Sequence, residues 1–466
     1  MNDFFCIPVL FDYNDGYTVY QNELLNSLAF LEVFHPLPLV DAERFEQIKD
    51  ETKKLCFEIY NNRTIGLVYF QVLFNKWLRL FNDAHSYVML DDNELYPYTL
   101  RYYNGDFYFY SISSLYPNCT GKPINSINGI SIKEIINNLM RIVPSENIIK
   151  ACITGSYFMN SHSFLSSLGI PFDGGLLFSF SDGSELCIRK QSCTSLSENH
   201  ILQIKSHYIT RKLSYPFWYK IVEDKCYFQF NEMYDRFSYM QICHLMGNTP
   251  NIELIRSLPL FTEFLEEMLS NIHRNNVHKL IIDLRYNGGG NSLLGDLLLN
   301  FLGIDMGGIR KYSSYIRYSD FLMSCYPGFI RLKCSYAKPE RLIEQCDVIR
   351  SVNEIPDIKL KYDGDVYFIQ GQNSFSSANY LLTTIKDNAL FPIIGTPTSQ
   401  KPTCYGNVLP VIWPFSKTKG YVSFGYFERP NKNNTETTLF PDELLQNSLD
   451  EYLNGIDLCW DWILKH

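Results

Sequence analysis

The segment Lys279-Leu-Ile-Ile-Asp-Leu-Arg-Tyr-Asn-Gly-Gly-Gly-Asn291 joins a β-rich apolar run to three consecutive glycines, and a helical pattern follows it. Gly288, Gly289 and Gly290 lack a Cβ, so this loop can adopt positive φ and direct backbone N–H groups at an anion. The dipole of a helix that begins near Asn291 reinforces such a site. The segment therefore predicts an anion-binding turn, and a plain strand-to-helix turn is the structural alternative.

The anion at this turn is either a phosphate or the oxyanion of a reaction. A dinucleotide-binding fingerprint that includes Gly288 and Gly290 requires a third glycine at the position of Leu293. Gly290 and Gly295 have P-loop spacing, but Asp296 stands where a P-loop has its lysine. The loop therefore favours an oxyanion hole over a phosphate site.

Composition and charge exclude several classes of protein. The chain has 466 residues, 46% of them hydrophobic and 15% aromatic, which predicts a globular protein of about three domains. The formal net charge of −9 and the absence of a dense Lys/Arg cluster argue against a nucleic-acid partner or an anionic membrane surface. No apolar run reaches the ~18 residues that a membrane span requires.

Cysteine and histidine usage indicates a reduced protein without a metal site. The thirteen cysteines are scattered and contain no C-x-x-C pair, and the nine histidines include no H-E-x-x-H motif. The first residues carry an acid, Asp3, where a signal peptide has positive charge, and Pro8 interrupts the apolar run. These features predict a cytoplasmic protein that needs neither metal nor cofactor, and they leave its oligomeric state open.

The pattern of apolar and aromatic residues changes twice along the chain, which predicts three regions. Residues 1–92 contain apolar positions at helical intervals, and residues 93–195 contain short aromatic strands, turns and a helix over 132–142. Residues 196–466 alternate strand and helix, which is typical of βαβ units. The elements predicted in this last region are a strand over 226–230, a helix over 253–273, a strand over 277–284, a helix over 292–302, a strand over 365–370, a helix over 377–386 and a strand over 392–394.

Ligand sites in alternating α/β folds lie at the carboxyl ends of the strands. Both the glycine turn and the segment Asn373-Ser-Phe-Ser-Ser-Ala-Asn379 follow predicted strands. A serine at a helix N-terminus is a candidate nucleophile, although Ser376 or Ser377 could serve only as a helix cap. The long stretch 304–364 is interpreted as a lid.

A serine nucleophile requires a base, and two residues qualify. Lys401 lies on the loop after the last predicted strand, where burial could keep its amine neutral. His85 lies in Asp83-Ala-His-Ser86, at the end of the helical region, and the ordinary histidine pKa suits a base. Lys401 could instead be an ordinary surface lysine, and His85 could be a histidine that caps a helix C-terminus. Both residues therefore stay candidates for the base.

The chain resembles the tail-specific or C-terminal processing serine peptidases and their relatives with the tricorn protease core. Four motifs carry the resemblance: IIDLRYNGGGN at 281–291, SFSSAN at 374–379, IIGTPTSQKP at 393–402, and Leu439-Phe-Pro-Asp442 followed by Gly455-Ile-Asp457. The resemblance implies an α/β fold with a crotonase-like ββα-type core, preceded by a small PDZ-like module over 93–195. It covers most of 196–466, and the module more weakly.

The resemblance also implies roles for individual residues. Ser376 rather than Ser377 matches the nucleophile, and Lys401, 25 positions later, matches the base of the processing-peptidase branch. His85 matches the base of the tricorn-like branch and is preferred here by a small margin. The remaining implied residues are Gly288, Gly289 and the N–H of Ser377 as the oxyanion hole, and Glu436 as an orienting acid. Asn379 and Tyr405 depart from the usual pattern, which has Glu and Gln at those positions.

These features predict a serine peptidase that hydrolyses peptides or unfolded protein tails. One alternative is a non-catalytic protein that binds peptides or hydrophobic ligands on the same fold. Another is acyl-thioester chemistry on a crotonase-like core, but this needs a carboxylate pair near Gly289 that the motif segments lack.

Overall fold

The computed structural model describes residues 4–62, 65–172, 174–189, 199–205, 213–331, 341–344 and 361–466. The chain divides into two compact units. The first comprises Met1–Ser206, Tyr405–Phe424 and Asn447–Asp457, and the second comprises His207–Cys404, Gly425–Gln446 and Leu458–His466. The three regions predicted above are a different division and stay a prediction. None of the described helices is long and apolar enough to cross a membrane.

The first unit combines helices with short antiparallel sheets. Its α-helices are Val19–Phe34, Leu37–Val40, Ala42–Asn61, Leu67–Leu78, Ile132–Ile142, Ile148–Phe158, His162–Ser167 and Leu449–Leu453, and its 3₁₀ turns are Arg79–Phe81 and Pro117–Cys119. Its strands are Phe5–Cys6, Tyr87–Val88, Tyr98–Tyr103, Asp106–Ser113, Ile124–Ile127, Ile130–Ser131, Leu176–Phe180, Glu185–Ile188 and Asn199–Ile201. Most of Cys404–Ile412 and the first six residues of Lys419–Glu428 also belong to it.

The predicted helix over 132–142 forms with those bounds. Ser131 has extended backbone angles and its side chain accepts from the N–H of Glu134, which caps the helix. Ile135, Leu139 and Ile142 lie on the buried face and pack into a core shared with the neighbouring strands, as the helical spacing of apolar residues requires. The prediction of mixed helix and strand in this part of the chain is confirmed.

The second unit is built on a mostly parallel sheet. Its strand order is Phe217–Val222, Lys225–Phe230, Lys279–Asp283, Asp365–Gln370, Ile393–Gly395 and Glu443–Leu444, and only the first pair is antiparallel. The α-helices of this unit are Arg236–Met246, Ile252–Ser257, Phe261–Arg274, Leu293–Phe301, Asp320–Cys325, Gly328–Arg331, Ser377–Asn388 and Leu458–Ile463. The predicted strand–helix alternation is therefore confirmed.

Alternate residues of the central strand enter different cores. Leu280 and Ile282 belong to the larger apolar cluster, which includes side chains of the helices Phe261–Arg274, Leu293–Phe301 and Ser377–Asn388. Ile281 points to the other face of the strand and joins a smaller cluster with Trp460. A strand that is buried on both faces reads as a continuous apolar run, which explains the sequence pattern before the glycines.

Two predicted elements need comment. The single helix expected over 253–273 is wrong, because the chain forms Ile252–Ser257 and Phe261–Arg274 instead. Pro259 lacks an N–H and restricts Leu258 to extended angles, which ends the first helix. The predicted lid over 304–364 lies partly outside the described residues; within it the structure describes the strand Ser313–Ile316, the helices Asp320–Cys325 and Gly328–Arg331, and the strand Ile343–Glu344.

Candidate active site

The two predicted site segments follow neighbouring strands of the parallel sheet. Lys279–Asp283 pairs in parallel with Asp365–Gln370, and Asp283 lies opposite Ile369. The carboxyl ends of parallel neighbours meet at one edge of a sheet. The glycine turn and the serine segment therefore emerge side by side.

Hydrogen bonds join the serine segment directly to the glycine turn. The N–H of Phe375 donates to the carbonyl oxygen of Asn287 at 3.0 Å. The hydroxyl of Ser374 donates to the carbonyl of Leu284 at 2.8 Å, and the hydroxyl of Ser377 donates to the carbonyl of Gly290 at 2.6 Å. These contacts fix the position of Ser376 relative to the glycines.

The two segments approach each other closely at Gly289. Its φ is +106°, which L-residues rarely adopt, and a Cβ built on it would lie 2.5 Å from the Cβ of Ser376 and 2.9 Å from the N of Ser377. Only glycine fits at this position without a shift of the backbone of either segment. Gly288, in contrast, faces open space where a Cβ would be.

Ser376 has a strained backbone rather than the backbone of an ordinary helix cap. It precedes the helix Ser377–Asn388 with φ +53° and ψ −124°, and its side chain makes no capping hydrogen bond. Positive φ is uncommon for residues other than glycine and costs about 1–2 kcal/mol. The N–H of Ser376 donates to Oε1 of Gln400, which holds this conformation.

The backbone N–H groups predicted to form the oxyanion hole differ in the hydrogen bonds that they already make. The N–H of Gly289 donates to Oδ1 of Asn287 at 2.8 Å, and Nδ2 of Asn287 donates to the carbonyl of Phe230 at 3.0 Å. Ser377 opens its helix, where the first N–H groups have no acceptor within the helix. Ser377 and Gly288 thus offer amide groups at the same edge, whereas the amide of Gly289 is engaged.

Gln400 is a site residue that the sequence analysis missed. Its Oε1 accepts from the N–H of Ser376, and its Nε2 lies 3.0 Å from Sγ of Cys404. Lys401, which was singled out instead, is the next residue and is partly exposed. The only signal in the sequence was the motif that contains both residues, and the motif does not say which of the two side chains turns toward the serine.

His85 lies in the first unit, in a buried polar cluster. Its side chain is 10% exposed, and Nδ1 is 3.8 Å from Oδ1 of Asp83. Burial lowers the pKa of His85 to about 4, against the charge of Asp83, which raises it. The imidazole is therefore neutral near pH 7, which is the state that a general base requires.

Asp83 is held as a carboxylate by a second histidine. His35 donates from Nε2 to Oδ2 of Asp83 at 3.1 Å, and Nδ1 of His35 accepts from the N–H of Leu37 at 3.0 Å, which selects this tautomer. The hydroxyl of Ser86 also donates to Oδ2, at 2.5 Å. Burial disfavours the charged form of Asp83, but the hydrogen bonds from His35 and Ser86 and the neighbouring His85 outweigh burial and lower the pKa of the carboxyl below its usual range.

Glu436, the predicted orienting acid, and Tyr405, a departure from the family pattern, each contact residues of their own unit. The carboxylate of Glu436 is 43% exposed and lies 3.6 Å from Nη1 of Arg429. It also accepts from Nδ2 of Asn434 at 2.8 Å. The ring of Tyr405 packs against that of His35, with centroids 4.7 Å apart.

Asn379, the other departure from the expected pattern, is buried and supports the loop that carries Gln400. Its Oδ1 accepts from the hydroxyl of Thr398 at 2.8 Å. That hydroxyl also lies 3.3 Å from the carbonyl of Gln400. An amide at this position therefore has a structural partner of its own.

Comparison with known proteins supports a peptidase core. Residues 252–411 match the family model described as Peptidase family S41. This range contains the glycine turn, the serine segment and the loop with Gln400 and Lys401. The comparison with curated proteins finds no match.

Solved structures of similar fold cover nearly the whole chain. Mature CPAF complexed with lactacystin is 15% identical, with a TM-score of 0.62, and the match covers 96% of this chain and 98% of that one. A mutant of CPAF is 14% identical, with a TM-score of 0.58 over 94% and 95% of the two chains. The photosystem II D1 C-terminal processing protease is 12% identical over 95% and 98% of the two chains, with a TM-score of only 0.39. The two CPAF structures show that the fold is shared.

Proposed function

We propose that this chain cleaves peptide bonds in peptides or unfolded protein tails with Ser376 as the nucleophile, since residues 252–411 match the model of Peptidase family S41, a family of serine-type hydrolases. The contact between Gly289 and Ser376 supports this proposal most strongly. It brings a hydroxyl next to a loop of backbone amides, the two elements that an acyl transfer requires.

In the proposed reaction, residues of the glycine turn and of the serine segment have different roles. The Ser376 hydroxyl attacks the scissile carbonyl carbon, and the N–H groups of Gly288 and Ser377 receive the oxyanion. Gly289 permits the close approach, and its own amide can contribute only after it leaves Asn287. Gln400 holds the N–H of Ser376 and thereby positions the nucleophile.

For the base we propose His85, with Lys401 as the alternative. The neutral His85 imidazole accepts the proton of Ser376 and returns it to the leaving amine. Asp83 then stabilises the imidazolium, since its carboxylate faces the ring. Glu436 is the alternative orienting acid that the resemblance implies.

The direct test of the function uses unstructured peptides that differ in their C-terminal residues. The wild-type protein is incubated with each peptide, and mass spectrometry identifies the products. We expect cleavage at internal peptide bonds of at least one peptide. The alternative function, binding without proteolysis, predicts intact peptides together with saturable binding in fluorescence anisotropy.

Substitution of Gly289 by alanine should lower kcat by at least roughly 10²-fold, the scale of losing one oxyanion donor. The added Cβ would displace Ser376 from the amide groups. Gly105→Ala is a matched control, because Gly105 has φ +112° and no atom within 4 Å of a built Cβ. Kinetics and thermal unfolding of both variants separate backbone strain from the effect on the site. Equal kcat values for the two variants would contradict the placement.

The pH at which kcat/KM begins to fall on acidification should be unusually low. The base must be neutral, and burial lowers the pKa of His85 to about 4, so kcat/KM should stay level from pH 7 to about pH 5. Below the pKa it should fall tenfold per pH unit, while circular dichroism confirms that the protein stays folded. An ordinary histidine would give a limb near 6.5, and an amine base would give a rate that keeps rising at alkaline pH.

A further inference from the structure

Three ligand-bearing side chains of the first unit meet around His85. Asp83, His85 and Glu146 each offer one ligand atom, and these atoms all lie within 4.8 Å of one another. Asp83 is 0% exposed and Glu146 is 5% exposed. Glu146 lies just before the helix Ile148–Phe158, so the fold brings it to the other two from more than sixty residues away.

The cluster brings two carboxyl groups beside one imidazole, and the positive charge of Lys150 acts on both Glu146 and His85. Asp83 is held as a carboxylate, and the His85 imidazole beside it is neutral near pH 7. Oε1 of Glu146 lies 3.5 Å from the N–H of Ala84, which is at the limit of a hydrogen bond. Carboxylate oxygens and an imidazole nitrogen that lie within 4.8 Å of one another are ligands that a cation at the centre of the cluster can share.

The donor set suits zinc better than a hard cation. Imidazole nitrogen and carboxylate oxygen bind Zn²⁺ at about 2.0–2.2 Å, which separates the ligand atoms of a tetrahedral site by roughly 3.3 Å. Nδ1 of His85 and Oδ1 of Asp83 are already 3.8 Å apart. Ca²⁺ and Mg²⁺ prefer oxygen ligands alone, whereas imidazole suits Zn²⁺, so small side-chain rotations would complete a zinc site with a water as the fourth ligand.

The surroundings of Asp83 resemble the outer shell of a metal ligand. His35 and Ser86 both donate to Oδ2 of Asp83. They orient the carboxylate, whose Oδ1 accepts from the backbone N–H of His85 at 2.8 Å and presents its second lone pair on the side of the imidazole. The same arrangement that positions His85 as a base therefore also presents a preformed pair of ligands.

We propose that Asp83, His85 and Glu146 form an inhibitory Zn²⁺ site, in which metal bound to Nδ1 of His85 leaves the ring proton on Nε2, so that no lone pair remains to accept the proton of Ser376. Zinc binding and proton acceptance by His85 then exclude each other. Zinc binding itself does not depend on the proposed peptidase function, whereas the inhibition rests on it. The two parts can therefore fail separately.

Metal binding is tested on the full-length Ser376→Ala protein by calorimetric titration with Zn²⁺ and by the absorption bands of tetrahedral Co²⁺. We expect one metal ion per chain, and at least a tenfold loss of affinity in the added variant Glu146→Gln. Glu134→Gln, at an exposed glutamate of the same unit, is the matched control and should leave the affinity unchanged. Equal affinities in the Glu146→Gln and Glu134→Gln proteins would overturn the site.

A substitution of Lys150 tests the site without removing a ligand, because it should strengthen Zn²⁺ binding rather than weaken it. Burial lowers its pKa to about 8, and its positive charge acts on His85. The same charge must repel a bound metal ion, so Lys150→Met should tighten Zn²⁺ binding severalfold. Unchanged or weaker binding in a folded Lys150→Met protein would count against the site even if Glu146→Gln does not fold.

The inhibition is tested by peptide hydrolysis in buffered Zn²⁺. Wild-type turnover should fall as the metal site fills and recover when a chelator is added. Glu146→Gln should retain basal turnover and lose most of the inhibition. Equal inhibition of both proteins, or zinc binding that leaves turnover unchanged, would overturn the inhibitory role. A wild-type protein without peptidase activity would refute the proposed function and leave the binding result intact.

Discussion

Ser376→Ala should lower kcat for peptide hydrolysis by on the order of 10⁶-fold, the scale seen when the serine of a catalytic triad is removed. Neither of the serines beside it in the sequence segment, Ser374 and Ser377, is placed to replace it. Ser374 donates to Leu284, and Ser377 donates to Gly290, so both are engaged in holding the two segments together. The variant should otherwise fold normally, because the Ser376 side chain makes no capping hydrogen bond.

Ser377→Ala is the matched control for that experiment. It removes a hydroxyl one residue away but keeps the backbone N–H that we assign to the oxyanion hole. We expect less than about a tenfold loss of kcat, with a small loss of stability from the missing bond to Gly290. If Ser377→Ala lost its activity while Ser376→Ala kept it, the nucleophile would be misassigned.

His85→Gln should lower kcat by on the order of 10⁴-fold or more, because Ser376 would lose the group that accepts its proton. Glutamine keeps a similar volume and a hydrogen-bonding side chain, so the variant tests basicity rather than packing. Lys401→Met is the comparison that separates the two candidate bases, and we expect it to change kcat less than about tenfold.

The opposite result for these two variants would assign the role of base to Lys401. If Lys401→Met were inactive and His85→Gln retained turnover, lysine would be the base, and the Asp83–His85 pair would have a structural role. Single-turnover measurements of acylation make the comparison sharper, because they exclude effects on product release. Thermal unfolding of both variants shows whether a loss of activity reflects a loss of fold.

Local patterns predicted much of the second unit correctly. The strand Asp365–Gln370 has the predicted bounds, and the helix that follows Ser376 begins where it was expected. Both rest on strong local signals, an apolar run of strand length and a turn that leads into a helix. The helix expected over 253–273 failed because its apolar spacing continued through Pro259, and the proline outweighed the periodicity.

The polar partners of the site could not be predicted in the same way. His35 reaches Asp83 across 48 positions, and Glu146 lies near His85 although more than sixty positions separate the two. Gln400 was adjacent to a predicted residue, yet no periodicity indicates which of two consecutive side chains meets Ser376. Such contacts depend on tertiary structure, whereas sequence patterns report mainly on the burial of each element.

The most direct test of Ser376 as an activated nucleophile is covalent labelling with a fluorophosphonate, which reacts with activated serines, followed by tandem mass spectrometry. We predict one adduct per chain, located on Ser376, and strongly slowed labelling in His85→Gln. An adduct on another residue, or labelling of Ser376→Ala at the wild-type rate, would contradict the proposed active site.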